Sequence, residues 1–242
     1  MIQIENMTKK YDRLTAVDNL SLNIAPGELF AFLGPNGAGK TTTIKVLAGL
    51  LKPTHGRTSI CNFDVQRDHV EAKRLIGFIP DRPYLYEKLS GRDFFHFVGD
   101  LFNVPRAQQQ QRMEEYFGLF SLTDAADDLI ENYSHGMRQK LVFSVALMHD
   151  PKVLIVDEPM VGLDPKSARI IKQLLKEKSR AGASVFLSTH TLSVAEELAD
   201  RIGIIQKGKL LFLGDLPALR DKVHNDGSLE DLFLQLTEGA ED

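Results

Sequence analysis

The chain has 242 residues, of which 43% are hydrophobic and 26% charged, and its net charge is −4. This composition is ordinary for a globular protein with a sizeable core, and the small negative charge excludes a general electrostatic attraction to nucleic acid or anionic lipid. Cys61 is the only cysteine, which excludes an intrachain disulfide and agrees with a reducing compartment, and no apolar run approaches the ~20 residues that cross a bilayer.

The first part of the chain is predicted to form strands around one helix. Apolar and polar residues alternate in "MIQIENM" and "AVDNLSLNI", which is typical of half-buried strands. The compact apolar run "ELFAFLG" predicts a buried strand, and a helix is expected to follow it from Lys40 to Leu50. Single strands are also predicted at "TSICNFDV" and "LIGFI".

Residues 83–150 change to helical periodicity. Helices are predicted in "GRDFFHFVGDLFNV" and "AQQQQRMEEYFGLFSL". A third helix is expected to take Ser134 as its N-cap and to run to about Met148. We interpret the glutamines at 108–111 as a solvated helix face. This stretch is therefore predicted to be a helical insert within an α/β chain.

Strands return after the insert, at "KVLIVDEP" and "ASVFLSTH", with a helix between them. The segment "RIGIIQKGKLLFLG" predicts a hairpin that turns at Lys207 and Gly208, because this pair separates two apolar runs. The segment "SLEDLFLQLTEG", which opens with Ser228 and Glu230, predicts a short helix near the end of the chain. These elements together predict an α/β core with a helical insert.

The strongest sequence signal is a phosphate loop. The segment "GPNGAGKT" places Gly34, Gly39, Lys40 and Thr41 in the pattern G-x-x-x-x-G-K-[ST], after an apolar strand and before a helix. Glycines permit the tight turn and let backbone N–H groups face the phosphates of a nucleotide. Lys40 should reach the β- and γ-phosphates, the Thr41 hydroxyl should bind Mg²⁺, and the helix adds its positive dipole end.

A second part of such a site is predicted at the end of the strand "VLIVDEP", which closes with Asp157 and Glu158. A carboxylate at the carboxyl end of a buried strand faces the crevice in which α/β proteins bind ligands. Asp157 is therefore expected to hold Mg²⁺, directly or through water. Glu158 is expected to act as the general base that polarises an attacking water.

Five motifs, in the order that the family has them, resemble those of the ATP-binding subunit of an ABC transporter, over nearly the whole chain. Two of them are the phosphate loop "GPNGAGKTT" and the carboxylate strand "VLIVDEP". The segment "GLDP" at 162–165 resembles the family's D-loop, and "STH" at 188–190 resembles its histidine switch. The segment "YSHGMRQK" resembles the signature motif, usually written LSGGQ.

The resemblance implies the ABC ATPase fold, a P-loop NTPase core with an antiparallel β subdomain and a helical insert subdomain. Residues 1–242 would then form a single domain. Its α/β core would comprise residues 1–82 and 151–220, its helical subdomain residues 83–150, and its short helical tail residues 221–242.

The resemblance also implies that ATP and Mg²⁺ bind here. Tyr11 occupies the position of the aromatic ring that stacks on adenine in the family, and a packed surface tyrosine is the alternative. His190 would contact the γ-phosphate and hold the attacking water together with Glu158. The phosphate-loop residues implied to bind the nucleotide are Gly34, Pro35, Asn36, Gly37, Ala38, Gly39, Lys40, Thr41 and Thr42.

The family's subunits dimerise head to tail, so that ATP on one copy's phosphate loop is covered by the other copy's signature motif. Ser134 and Gly136 would supply a hydroxyl and a backbone N–H to that ATP. Asp164 would lie at the interface of two copies and communicate between the sites. One chain would therefore hold two half-sites, and hydrolysis would require two chains.

The chain departs from the family pattern at two sites. The family commonly has Gln where Asp81 follows the strand "LIGFI", and a carboxylate there is a candidate Mg²⁺ ligand, directly or through water. In the signature motif, His135 replaces a glycine and Met137 replaces the glutamine. Asp81 and the "GMRQK" ending resemble the subgroup of subunits that serve ABC-2-type exporters.

The segment after Asp81 is where the family meets its integral membrane subunit. The nearby aromatic residues line a groove for a short helix of that partner or form the core of the insert, and we expect some of them to do each. These aromatic residues are Tyr84, Tyr86, Phe94 and Phe95.

The leading hypothesis is an ATPase subunit that powers an ABC exporter at the cytoplasmic face of a membrane, paired with a second ATP-binding subunit and a membrane permease, and binding no nucleic acid. The amino terminus "MIQIENMTKKYDRL" lacks the apolar segment of a secretory signal, so any membrane span should belong to another chain. Three alternatives stay open: a non-transport ABC ATPase acting on ribosomes or DNA, a nucleotide-binding switch with little turnover, and the ATPase subunit of an importer.

Overall fold

The computed structural model describes residues 1–223 and 229–238, whose strands form a four-stranded and a six-stranded sheet. The strands are β1 Ile2–Tyr11, β2 Leu14–Ile24, β3 Leu29–Leu33, β4 His55–Ile60, β5 Phe63–Asp64, β6 Ile76–Ile79, β7 Val153–Asp157, β8 Ser184–Thr189, β9 Arg201–Gln206 and β10 Lys209–Gly214. The helices are α1 Lys40–Leu47, α2 His69–Arg74, α3 Gly91–Leu101, α4 Arg106–Phe120, α5 His135–Leu147, α6 Pro165–Arg180, α7 Leu192–Leu198, α8 Leu216–Val223 and α9 Leu229–Glu238.

The smaller sheet has the order β2-β1-β4-β5, and its pairs are antiparallel. The prediction of a single strand at "TSICNFDV" is wrong, because the chain turns between β4 and β5. Cys61 and Asn62 both have positive φ, at 49° and 73°, which matches a tight two-residue hairpin. The sequence hides this turn because only Asn62 is a residue that commonly adopts such a conformation.

The larger sheet has the order β10-β9-β3-β8-β7-β6, parallel except for the edge strand β10. Every residue of β3 and β7 is buried, which explains their continuous apolar runs. The carboxyl ends of neighbouring strands are aligned, with Leu33 opposite Thr189 and Asp157 opposite Ser188. The segments that follow these strands therefore meet at one edge of the sheet.

The helical segment α3–α5 packs as a layer that shares its hydrophobic core with the large sheet. Buried aromatic rings of the three helices form the centre of this core, and Phe95 meets Phe117 edge to face with ring centroids 5.5 Å apart. Leu154 and Leu187, from strands β7 and β8, belong to the same buried cluster. The prediction of an α/β core with a helical insert is confirmed.

Gln109 corrects our interpretation of the glutamine run, because it is fully buried. It lies on the same face of α4 as Met113 and Tyr116, at the spacing of successive helical turns. Its amide nitrogen donates to Asp100 Oδ1 at 2.9 Å and to the Val104 carbonyl at 2.7 Å. These bonds satisfy the buried amide, whereas the glutamines on either side of it are exposed.

The three short helices α2, α7 and α8 were not predicted, and α1 ends at Leu47 rather than Leu50. The predicted terminal helix corresponds to α9, while Ser228 lies outside the described residues, as do residues 224–227 and 239–242 of the predicted tail. In the two stretches that the structure describes, no helix is both long enough and apolar enough to cross a membrane.

Candidate active site

The loop between β3 and α1 follows a path that two of its glycines make possible. A Cβ at Gly34 would come within 2.3 Å of the Ile205 carbonyl oxygen. Gly39 has a φ of 113°, and a Cβ there would come within 2.5 Å of the Ala16 carbonyl oxygen. Because both obstacles are backbone atoms of other strands, neither can move aside for a side chain. The loop therefore packs directly against β2 and β9.

Lys40 is the first residue of helix α1, and its ammonium group hydrogen-bonds back to the start of the phosphate loop. It is buried, and its Nζ donates to the Gly34 carbonyl at 2.6 Å and to the Pro35 carbonyl at 3.1 Å. Burial lowers the pKa of Lys40, and the nearby carboxylates of Glu158 and Asp157 oppose that shift. The site therefore contains a partly desolvated cation that an anionic ligand would stabilise.

Acidic groups face this cation from the ends of β6 and β7. Burial raises the pKa of Asp157, and the carboxylates of Glu158 and Asp81 act in the same direction. The Thr41 hydroxyl donates to Asp157 Oδ2 at 3.4 Å. The sequence predicted each of these groups, and the structure brings them together around one cavity.

Glu158 is held where the chain turns away from the sheet. Its φ of 48° lies in the left-handed region, and its backbone N–H donates to the Ser188 carbonyl at 3.0 Å. Its Oε1 lies 2.8 Å from His190 Nδ1, and its Oε2 accepts from the Thr189 hydroxyl at 3.3 Å. The carboxylate is largely shielded, whereas the His190 side chain is 58% exposed and faces solvent.

These groups surround an open cavity of about 570 Å³. Tyr11 lines it, and its ring is partly exposed rather than packed away. His190 reaches the cavity through Glu158 and does not itself line it. The predicted residues that line it are Tyr11, Asn36, Gly37, Gly39, Lys40, Thr41, Thr42, Asp81, Asp157 and Glu158.

Sequence reasoning missed part of this lining. Leu14, Thr15 and Ala16 at the start of β2, and Lys207 and Gly208 in the β9–β10 turn, also face the cavity. The turn was visible as a hairpin signal, but its distance from the phosphate loop depends on β9 being the neighbour of β3. No local pattern in the sequence carries that information.

The predicted signature residues lie elsewhere. Ser134 caps α5 as predicted, since its hydroxyl accepts from the Met137 N–H at 3.2 Å. The ring of His135 packs against Gly162, where an added Cβ would come within 2.3 Å of His135 Cδ2. Neither Ser134 nor Gly136 lines the cavity, so the structure does not unite them with the phosphate loop of the same chain.

Asp164 caps α6 and links it to α5. Its Oδ1 accepts from the Ser167 N–H at 2.9 Å, and its Oδ2 lies 3.4 Å from Lys140 Nζ. The hydrogen bonds from Ser167 hold the pKa of Asp164 well below its usual range, and Lys140 adds to this. Asp164 also lies outside the cavity lining. Helix α5 therefore contacts the segment that leads into α6 twice, through His135 on Gly162 and through Lys140 on Asp164.

We expect Gly162→Ala to destabilise the fold by about 1–3 kcal/mol, because Gly162 has a φ of 75° and because His135 occupies the space a methyl group needs. In a His135→Ala background the cost should fall by at least ~0.5 kcal/mol, since one of the two causes is removed. Denaturant unfolding of the four proteins in this cycle measures the difference.

Gly182→Ala is a matched control for the Gly162 cycle. Gly182 has a φ of 101°, but a Cβ there would meet nothing within 4 Å. Its cost should therefore come from the backbone alone and should be the same with and without His135. Equal costs for Gly162→Ala in both backgrounds would show that the His135 contact is energetically irrelevant.

A second, apolar groove of about 430 Å³ lies between the helical layer and the strand β6. Phe95 is fully buried in the core, whereas Phe94 and the 87% exposed Tyr84 line this groove. Tyr86 is exposed and packs edge to face on Phe94 at a centroid distance of 6.0 Å. The aromatic cluster is therefore divided between core and groove.

His149 keeps one side of this groove uncharged. Burial lowers the pKa of His149 to about 4, so the ring is neutral at physiological pH. Its Nε2 donates to the Ile76 carbonyl at 3.1 Å, and the ring stacks on Phe102 with centroids 3.9 Å apart. The groove therefore offers a mainly apolar surface, with Lys73 as a charged residue in its lining.

Comparison with known proteins assigns the chain to a family. The sequence model of the ABC transporter family matches residues 17–161. The uncharacterised ABC transporter ATP-binding protein YhcH of Bacillus subtilis (strain 168) is 39% identical over 242 residues, which is 100% of this chain and 77% of the relative. The linearmycin resistance ATP-binding protein LnrL of the same organism is 35% identical over 226 residues, which is 93% of this chain and 73% of the relative.

Solved structures agree with the sequence comparison. The structure of an ATP-binding subunit of an ABC transporter matches with a TM-score of 0.94 and 28% identity, over 98% of this chain and 99% of that one. The dimeric ATP-binding cassette MJ0796, in a post-hydrolysis state with ADP and Pi, matches with a TM-score of 0.80 and 28% identity, over 89% of this chain and 99% of that one. The chain therefore belongs to the ABC transporter family, as one of its ATP-binding, ATP-hydrolysing subunits.

Proposed function

We propose that this chain powers an ABC-2-type exporter, as one of two ATPase subunits that dimerise head to tail and bind a separate membrane subunit. Two features favour export over the alternatives. A similar protein is named for resistance to linearmycin, and Asp81 with the "GMRQK" ending resembles the exporter subgroup. The chain would then act at the cytoplasmic face of a membrane, attached through its partner.

This proposal rests on one observation: the predicted site residues lie in two separate places on the chain. Lys40 and Glu158 line the cavity, whereas Ser134, Gly136 and Asp164 lie at the exposed beginnings of α5 and α6. An antiparallel approach of a second copy would supply a helix N-terminus to the phosphates of the first. A structural neighbour is dimeric, which supports the pairing of two copies.

Within one chain, the cavity offers each part of a nucleotide a suitable surface. Tyr11, which is partly exposed, would stack on the adenine ring. The backbone from Gly34 to Thr42 would surround the phosphates, and the buried ammonium of Lys40 would exchange the carbonyls of Gly34 and Pro35 for phosphate oxygens.

The residues around Asp157 are suited to bind Mg²⁺. The Thr41 hydroxyl already contacts Asp157, and Asp81 lies close enough to raise the pKa of Asp157. Among the described residues, no group of three or more Asp, Glu, His or Cys side chains could hold a metal ion without further ligands. That fits an ion that takes one or two protein carboxylates and completes its shell with water and phosphate. The ion would neutralise charge on the phosphates.

Glu158 and His190 would carry the chemistry around the attacking water. Glu158 Oε1 is 2.8 Å from His190 Nδ1, and its other oxygen is held by Thr189. These two contacts orient the carboxylate, and a general base must lie within hydrogen-bond reach of the proton that it takes. His190 would present its outer nitrogen to the γ-phosphate, and Lys40 would stabilise charge on the leaving phosphate.

The helical residues 83–150 would transmit the motion of dimer closure to the membrane subunit, as a subdomain distinct from the core of residues 1–82 and 151–220, with the segment 221–242 as a tail. The apolar groove beside Tyr84 and Phe94 would receive a short helix of that subunit. The exposure of Tyr84 favours this use, since an exposed aromatic ring at a groove is typical of a docking surface.

We expect the tagged chain, purified from detergent-solubilised cells, to bring with it an integral membrane protein, and the complex to hydrolyse ATP with a cooperative dependence on ATP. A Tyr84→Ala variant should retain less of this partner, because its ring would lie in the contact. The control is Leu119→Ala, because Leu119 is also an exposed apolar residue but lies on α4 and does not line the groove. Recovery of ribosomes or DNA instead would favour the non-transport alternative.

A further inference from the structure

Lys207 lies at the tip of the β9–β10 turn, beside the nucleotide cavity. Its φ of 48° and the φ of 80° at Gly208 give the two-residue geometry of a tight hairpin. Such a turn has little conformational freedom, because both residues must stay in the left-handed region. The position of the Lys207 backbone is therefore well fixed relative to strands β9 and β10.

Two further contacts hold this turn against the site. The Gly208 N–H donates to the Ala38 carbonyl of the phosphate loop at 2.9 Å, and the Gly208 carbonyl accepts from the Asp18 N–H at 2.8 Å. A Cβ at Gly208 would come within 3.0 Å of the Ala16 carbonyl oxygen. The turn therefore packs on the phosphate loop on one side and on β2 on the other.

Lys207 is among the residues that line the cavity; it is exposed and has no ionic partner within the described part of the chain. Lys209, two residues further on, differs in both respects, since it lies 4.0 Å from Asp18 and does not line the cavity. Lys40 is the other lysine in the lining. Lys207 is thus an exposed lysine at the edge of a cavity whose phosphate loop is suited to a polyanion.

The position of the turn indicates which part of the nucleotide it would meet. Lys40, Thr41 and Asp157 mark the end where the terminal phosphate would lie. The turn instead contacts Ala16 at the start of β2, where Leu14 pairs with Tyr11, and Ala38 of the phosphate loop. A charge at this point would act on the phosphates nearest the ribose, which ATP and ADP share.

We propose that Lys207 is a nucleotide-binding residue that contacts the ribose-proximal phosphates and contributes equally to the affinity for ATP and for ADP. This inference rests on the proposed nucleotide site and adds a residue to it. Lys207 takes no part in bond breaking, because the turn contacts the loop and β2 rather than the carboxylates. It should therefore change binding and KM, and leave kcat unchanged.

The test is Lys207→Asn, which removes the charge and keeps a residue that tolerates a positive φ. Calorimetric titration of the isolated chain at 50 mM salt should show the Kd for both MgATP and MgADP raised about 2- to 5-fold, the range expected for one exposed charge contact. The effect should shrink at 500 mM salt, because screening weakens exposed charge interactions. Lys207→Arg should restore affinity, and Lys209→Ala should match the wild type.

Three results would overturn the inference while the nucleotide site itself stands: an unchanged Kd for Lys207→Asn, an equal effect of Lys209→Ala, or a loss confined to ATP. The last would place the contact on the terminal phosphate. If the wild-type chain bound neither nucleotide, the proposed site and this inference would both fail. Circular dichroism and thermal unfolding of each variant check that the turn is intact.

Discussion

Replacing Glu158 with Gln is expected to lower the rate of ATP hydrolysis by about 10²- to 10⁴-fold, the range that general-base catalysis contributes. The amide has nearly the same shape as the carboxylate but cannot accept a proton from water. It can still donate to or accept from His190 and Thr189, so the two contacts that fix Glu158 should largely persist. ATP binding to the chain should therefore remain.

A second consequence follows if two copies enclose the nucleotide between them. In Glu158→Gln, ATP would bind without being consumed, so size-exclusion chromatography with MgATP should show a stable dimer that the wild type forms only transiently. ADP should not produce it, because the contact from Ser134 of the second copy would be to the γ-phosphate. Glu177→Gln, at an exposed site on α6, is the control and should behave like the wild type.

Full hydrolytic activity in Glu158→Gln would show that another group activates the water. Loss of activity with loss of ATP binding would instead indicate that the substitution disturbed the cavity. The two outcomes are separated by measuring binding and turnover on the same preparation.

Lys40→Met is expected to weaken ATP binding by about 10- to 10³-fold, because a charge-assisted contact to phosphate in a partly buried site is stronger than an exposed one. The Lys40 ammonium is buried, and it donates to two carbonyls of the loop it would share with the phosphates. Methionine keeps most of the aliphatic chain, so the loss reports on the charge rather than on packing.

Titration with a fluorescent ATP analogue, and with ATP by calorimetry, measures the effect. Lys45→Ala is the matched control, since Lys45 is exposed on the same helix α1 and does not line the cavity. Unchanged affinity in Lys40→Met would place the phosphates away from the loop. A raised stability of the variant without ATP is also expected, because burial of the Lys40 charge disfavours the folded state.

Much of the fold could be predicted because its signals are local. The apolar runs of β3 and β7 and the helical period of α3 to α6 are each read within one segment of chain. The turn at Cys61 and Asn62 was missed because cysteine rarely adopts a positive φ. The short helices α2, α7 and α8 were missed because six to eight residues carry too little periodicity to be recognised.

The candidate site likewise combines residues that the sequence predicts with residues that only the fold brings to the cavity. The phosphate loop and the pair Asp157–Glu158 each occupy a few consecutive residues, so covalent connectivity alone keeps their groups together. Lys207 is distant from both in sequence and reaches the cavity only because β9 lies beside β3 in the sheet. The roles of these residues in binding and hydrolysis stay predictions that the variants above address.

The sequence by itself determined the family, the α/β class and the identity of the candidate chemical groups, because those depend on residues adjacent in the chain. Only the tertiary structure decided that Gln109 is buried, that His135 packs on Gly162, and that Ser134 lies apart from the phosphate loop. Each of these depends on which helices and strands become neighbours. That choice is made by burial of the whole apolar surface at once, and no local pattern of residues encodes it.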